Sequence, residues 1–327
     1  MYAERKKYSI KQILTSNQNW WNFYEKFESK IRVGIIICIV KLLSCKDRIR
    51  GYREYHCANP TCSHVKHIPF SCKCKACSSC GRKATELWLE KQNNILPATS
   101  WQHITFTMPS ELWDFFWLNR YLLNDIPKQA YRHNTLIIPN KIQQQLNSAF
   151  TLDDFFNELY KKPWIVDCPK PTNDHKKIVS YLSRYLKRPP IAESKLKHYD
   201  GNNVTFKYLD HTTKTYKKFS LTAEEFIAKF IQHIPDVGFR MIRYYGFLAH
   251  RVRGKLLPCV NQLLGHEVEA NKAPTHAQMM QKYFGVNPLI CILCQSPLIP
   301  VATHFNNSNV FNLMQHHREL ALLKNFY

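Results

Sequence analysis

The stretch CANPTCSHVKHIPFSCKCKACSSC, Cys57 to Cys80, packs six of the chain's twelve cysteines into 24 positions. No other feature restricts the fold as much. Cysteines this dense serve as disulfide partners or as metal ligands, and the redox compartment decides between the two. The N-terminal MYAERKKYSI lacks the apolar core and the small-residue cleavage site of a secretory signal. A cytoplasmic location is therefore expected, with the cysteines as thiols or metal ligands. A zinc ribbon takes two thiolates from each of two turns, because both turns must reach one tetrahedral ion. Cys57 with Cys62 and Cys77 with Cys80 have suitable spacings and are the expected ligands of a structural zinc. Cys72, Cys74, His64 and His67 are left over, to complete a second site or to exchange into the first. Far along the chain, Cys291 and Cys294 in CILC form half a site at most, and chance or a redox pair explains them equally well.

Charge narrows the partners. Lys and Arg total 46 against 24 Asp and Glu, a formal +22 with a pI near 9.5. This is the footprint of a protein that meets a polyphosphate, and nucleic acid comes first. A membrane partner is not expected: the longest apolar run, VGIIICIV from Val33 to Val40, ends at Lys41 and is far short of the roughly 18 residues a span needs. It reads as a buried segment.

The pattern along the 327 residues predicts an α+β protein. Residues 1–50 form a helical N-terminal segment, with apolar positions three and four apart in IKQILTSNQNWWNFYEKF. Residues 51–97 form the zinc-binding domain. Residues 98–260 alternate strand and helix signals: a strand in WQHITFTMP, helices in SELWDFFWLNRYLL, NKIQQQLNSAF and LDDFFNELYKK, and a short strand in WIVDC. A hairpin in NNVTFKYLDHTTKTYKKFSLT follows, then a helix opened by a capping box, Thr222 with Glu225. For residues 261–327 the pattern specifies no fold.

Within this order, YLSRYLKRPP sets Tyr181 and Tyr185 four residues apart, on one face of a helix starting near Asp174 and stopped by Pro189 and Pro190. Two packing tyrosines would explain the spacing. So would a phenol offered to a phosphodiester, with Arg184, Lys187 and Arg188 holding the strand. A phenol has an ordinary pKa near 10 and needs nearby positive charge or metal before it attacks well.

Taken together, GYREYHC, SCKCKACSSCGRKATELW, QHITFTMP, YLSRYLKRPP and FRMIRYYGFLAHRVRGKLLP resemble the IS91-type transposases, rolling-circle enzymes of the two-tyrosine HUH nuclease class, from about residue 30 to 295. The resemblance implies a zinc-binding N-terminal domain followed by a nuclease core with a central antiparallel sheet. It implies that Tyr181 and Tyr185 are the nucleophile pair, forming 5′-phosphotyrosine links with single-stranded DNA at the element ends in two successive strand transfers. It also implies a divalent Mg²⁺ or Mn²⁺ held by two histidines separated by one apolar residue, both imidazoles on one side of a strand.

No two histidines in the chain have that spacing. By family order the pair belongs between QHITFTMP and the tyrosine helix, where only 77 residues separate His103 from Tyr181. A core segment that includes the metal-binding strand is therefore expected to be missing near Ala130 and Tyr131. Two readings follow: a transposase that nicks and joins DNA, and a remnant that binds DNA through its zinc domain and basic surface without cutting it. A zinc-containing RNA binder is a weaker third, since no aromatic RNA-reading motif is present.

Overall fold

The structure is a computed structural model that describes residues 8–107, 110–118, 138, 140–146, 151–161, 165–210, 212–266, 275–306 and 309–323. The chain divides into two compact units, Met1–Pro97 together with Val179–Tyr327, and Ala98–Ile178. Mixed helices and antiparallel sheets make it an α+β protein.

In chain order the elements begin with helices α1 (Ile10–Thr15), α2 (Asn19–Phe27) and α3 (Val33–Leu43), strands β1 (Tyr52–Cys57) and β2 (Val65–Pro69), and helix α4 (Ser78–Ile95). The smaller unit holds β3 (Thr105–Thr107), α5 (Trp113–Leu118), α6 (Asn140–Gln143), α7 (Leu152–Lys161) and β4 (Ile165–Asp167). Helix α8 (His175–Leu186) runs across the division. Then come β5 (Leu196–Tyr199), β6 (Asn203–Leu209), β7 (Tyr216–Thr222), α9 (Ala223–Gln232), α10 (Arg253–Leu263), α11 (His276–Phe284), β8 (Leu298–His304) and α12 (Val310–Leu323).

The main core lies in the larger unit. Ser9 caps α1 by accepting the Gln12 N–H, and α2 buries Trp20, Trp21, Phe23 and Tyr24, with Trp20 stacked on Phe23 at 6.3 Å. The run VGIIICIVKLL is α3, with Ile35, Ile39, Val40, Leu42 and Leu43 buried. These helices share one apolar cluster with Leu196, Val204 and Leu221 of the β5–β6–β7 meander, with Phe226, Ile227 and Phe230 of α9, and with Leu313 of α12. The capping box is formed as the sequence predicts: Thr222 Oγ1 accepts the Glu225 N–H, and the Glu225 carboxylate accepts the Thr222 N–H.

A second three-stranded sheet has β1 in the middle, antiparallel to β2 on one side and β8 on the other. Residues 261–327, for which the pattern specifies no fold, thus supply a strand to the zinc-domain sheet and a helix to the main core. In the smaller unit, Leu112, Phe115, Ile142, Leu152 and Phe155 form a separate core, and β3 pairs with β4 through Phe106 opposite Val166. The junction expected near Ala130 and Tyr131 lies outside the described residues.

Candidate functional site

Two groups of four cysteines bring all their sulfurs within 4.8 Å of one another. In the first, Cys45 follows α3, Cys72 lies beyond β2, Cys77 is the N-cap of α4 and Cys80 lies in its first turn. Sulfur separations are 3.6 Å for Cys45–Cys80, 3.5 Å for Cys72–Cys80 and 3.7 Å for Cys45–Cys77. An ion bonded to four thiolates at about 2.3 Å spaces them about 3.8 Å apart, so the cage fits a tetrahedral thiophilic ion without rearrangement. Hydrogen bonding, led by that from Cys72, pulls the Cys45 thiol down to about 7. Position favours thiolates too: the N-terminus of α4 presents its partial positive charge to Cys77 and Cys80.

In the second group, Cys57 ends β1, Cys62 lies in the following turn, and Cys291 and Cys294 lie in the turn before β8. Cys57 and Cys294 sulfurs are 3.3 Å apart, and those of Cys62 and Cys291 are 3.8 Å apart. Among the described residues these two groups are the sets of three or more Cys, His, Asp or Glu able to hold a metal.

The structure therefore regroups the expected ligands. Cys57, Cys62, Cys77 and Cys80 all belong to four-cysteine cages, but they do not share one. Pairing turns nearest in sequence overlooked β8, whose register on β1 sets Cys57 opposite Leu298 and carries the Cys291 turn to Cys62. Of the remaining residues, Cys72 joins the first cage, and His64 Nδ1 lies 3.1 Å from the Cys291 sulfur. Cys74 instead donates to the Cys38 carbonyl at 3.7 Å, and His67 faces Glu54 at 3.5 Å on the β1–β2 sheet. Cys45 was missed because a lone cysteine carries no spacing signal. Cys291 and Cys294 did show the two-residue spacing of a ligand turn.

Helix α8 carries the tyrosines. Val179 and Ser183, four apart, are buried, and the Ser183 hydroxyl donates to the Ser180 carbonyl at 2.7 Å. Tyr181 is 41% exposed, and Arg184 and Arg188, three and seven residues on, are exposed with it. At helical spacing Tyr181 and Arg184 share the solvent face, and Arg188 lies two residues past the helix end. The side chain of Tyr185 lies outside the described residues. Lys187 is half-buried and close enough to Lys75 that its charge, after burial, lowers the Lys75 ammonium below the usual lysine range. The basic segment 239–255 touches α4, where the Trp88 indole donates to the Tyr244 hydroxyl at 3.3 Å, and it leaves Tyr245 74% exposed.

For the divalent metal implied by the tyrosine chemistry, the residues present do not fit: the sequence has no His-x-His pair, and neither metal-capable group among the described residues contains a histidine or carboxylate. No described helix is long and apolar enough to cross a membrane.

Comparison with known proteins gives these features a context. A family model described as "Transposase zinc-binding domain" matches residues 15–108, and one described as "Putative transposase" matches residues 98–255. The transposase for insertion sequence element IS801 of Pseudomonas savastanoi pv. phaseolicola is 32% identical over an alignment of 372 positions, covering 90% of this chain and 89% of the relative. That alignment is longer than the chain's 327 residues, so it includes positions of the relative that have no counterpart here. "Putative transposase y4qJ" of Sinorhizobium fredii is 30% identical over 139 residues, 42% of this chain and 34% of the relative. No solved structure matches. With the two family models following one another along the chain and a near full-length relative 32% identical, the chain belongs to the IS91-type transposases.

Proposed function

We propose that this chain binds single-stranded DNA at the ends of an insertion element, and that Tyr181 and Tyr185 are the residues its family uses to cut and rejoin that DNA. The observation that carries this is the solvent face of α8, which holds exposed Tyr181 and Arg184, with exposed Arg188 just past its end. In the family reaction a phenolate oxygen attacks the scissile phosphorus, the bond to the 3′ oxygen breaks, and a 5′-phosphotyrosine and a free 3′ hydroxyl result. The guanidinium groups bind the phosphate and favour the phenolate over the phenol. Exposed Tyr245, within the basic segment, offers a ring on which an unpaired base can stack. Zinc in the first cage is structural, since four thiolates leave no open position.

A second reading for this particular copy rests on the sequence, which has no His-x-His pair, because metal electrostatics supply several kcal/mol of transition-state stabilisation. On that reading the chain binds without cleaving. The test is to incubate the chain with single-stranded DNA carrying the element's end, in Mg²⁺ or Mn²⁺, and to look for a denaturation-resistant protein–DNA band. We expect retained binding and no band, whereas a relative with the pair forms one. A band that disappears in the Tyr181→Phe, Tyr185→Phe double variant would establish the active transposase instead. Absence of DNA binding would sink both readings.

A further inference from the structure

We propose that Cys57, Cys62, Cys291 and Cys294 hold a second zinc ion, so that the zinc-binding region is completed by residues from the far end of the chain. The matched zinc-binding family model ends at residue 108 and contains only half of this ligand set. The other half comes from a turn 229 residues beyond Cys62.

Four observations carry the site. The first is the cage itself: four sulfurs within 4.8 Å, with Cys57–Cys294 at 3.3 Å and Cys62–Cys291 at 3.8 Å, close to the edge of about 3.8 Å that a tetrahedral zinc–thiolate centre requires. A disulfide needs about 2.05 Å, and here each sulfur has more than one neighbour of its own kind, as around a shared ion.

The second is the backbone. The Cys291 sulfur accepts the Leu293 N–H, two positions on, at 3.4 Å. Such a donor spreads the negative charge that four thiolates bring to one ion, as outer-shell partners of metal ligands do. His64 adds a second contact through Nδ1 at 3.1 Å from Cys291.

The third is how the turns are built. The Cys291 N–H donates to the Ser296 carbonyl at 2.8 Å, and the Gln295 N–H to the Cys291 carbonyl at 3.1 Å, with Gln295 at φ +58°. A tight turn in a left-handed conformation is strained for glutamine, and it is what aims both sulfurs of CILC to one side. The Ala58 N–H reaches the Pro297 carbonyl at 2.9 Å, which locks the two ligand turns side by side.

The fourth is the size of the apolar cluster beneath. Its buried members are Tyr55, Cys291 and Leu298. So small a core holds a strand from another part of the chain weakly, and a structural metal supplies the missing folding free energy.

The consequence is a clasp. The ion ties the β1 turn to the β8 turn, and the strand pairing between them depends on it. This holds or fails whether or not the chain cuts DNA.

The test is zinc stoichiometry of the full-length chain, purified under reducing conditions, by native mass spectrometry and elemental analysis. Two zinc ions per chain are expected, falling to one in Cys291→Ser, Cys294→Ser and to one in Cys77→Ser, Cys80→Ser. One zinc in the unaltered chain, or two retained by the Cys291→Ser, Cys294→Ser variant, would overturn the proposal. If that variant does not fold, thiol alkylation of the unaltered chain decides. Cys57, Cys62, Cys291 and Cys294 should be protected together and become reactive together on chelation, while the exposed Cys168 and Cys259 react throughout. Immediate alkylation of Cys291 and Cys294, or a mass lower by four hydrogens with no second zinc, would refute the clasp.

Discussion

Gly81 lies one residue beyond the last ligand of the first cage, and its lack of a side chain is used. A Cβ there would sit 2.6 Å from the Lys75 carbonyl oxygen and 3.0 Å from Pro189 Cδ, so the ligand loop and the proline that stops α8 both close on this backbone. Neither neighbour is a flexible side-chain end. Gly81→Ala should therefore cost about 1–3 kcal/mol, seen as a lower melting temperature of the zinc-loaded chain, and an unchanged melting temperature would show that the loop yields freely. A second residue gives pH dependence. His317 is 7% exposed, with Nε2 donating to the Ser44 hydroxyl oxygen at 2.8 Å, since that hydroxyl itself donates to the Val40 carbonyl. Burial, and after it the charge of His316, push its pKa down to about 4. The folded state thus favours the neutral ring. The stability it contributes is complete above the unfolded value near 6.5 and is lost as pH falls towards 4, at up to about 1.4 kcal/mol per pH unit. Between pH 7 and pH 5 the unaltered chain should lose more thermal stability than His317→Gln does, and equal losses would exclude the ring as the cause.

For α8 as an element, the question is whether its charged face holds phosphate. Each cation that neutralises a phosphate of a single strand adds about 0.7 to the slope of log affinity against log salt. Replacing Arg184, Lys187 and Arg188 together with Ala should therefore flatten the slope by up to about 2 units, measured by anisotropy titration across a salt series. An unaltered slope would move the interface to segment 239–255. What the sequence disclosed divides along the same lines. Thr222 with Glu225, the alternation of β6 and β7, the apolar run of α3 and the tyrosine spacing of α8 are all written within a dozen residues, and local hydrogen-bonding and burial patterns suffice to read them. The grouping of the cysteines is not local. Cys45 enters its cage because α3 ends beside the loop beyond β2, and Cys291 enters the other because β8 pairs with β1, and no spacing rule spans those separations. The strand read in WQHITFTMP is realised as Thr105–Thr107.

Across the whole molecule, the larger unit is assembled from Met1–Pro97 and Val179–Tyr327, with 81 residues between them in the chain that belong to the smaller unit. The whole chain's formal charge of +22 suits a polyanionic partner and works against compaction through self-repulsion, which places weight on the few long-range ties. One of those ties has a time attached to it. Strand β1 is hydrogen-bonded on both sides, to β2 a few residues later and to β8 some 240 residues later. At the usual pace of about 5–20 residues per second, a nascent chain spends on the order of tens of seconds with one side of β1 unmatched, a template for any other extended segment on a crowded polysome. A chain ended at Pro297 keeps that edge open for good. It should enter the insoluble fraction when synthesised at a level where the full chain stays in the supernatant, and equal partitioning of the two would show that the edge is shielded by other means. An interrupted copy of this gene is therefore expected to yield a product that clears itself by aggregation and proteolysis, so that synthesis to the last strand acts as its own proofreading step.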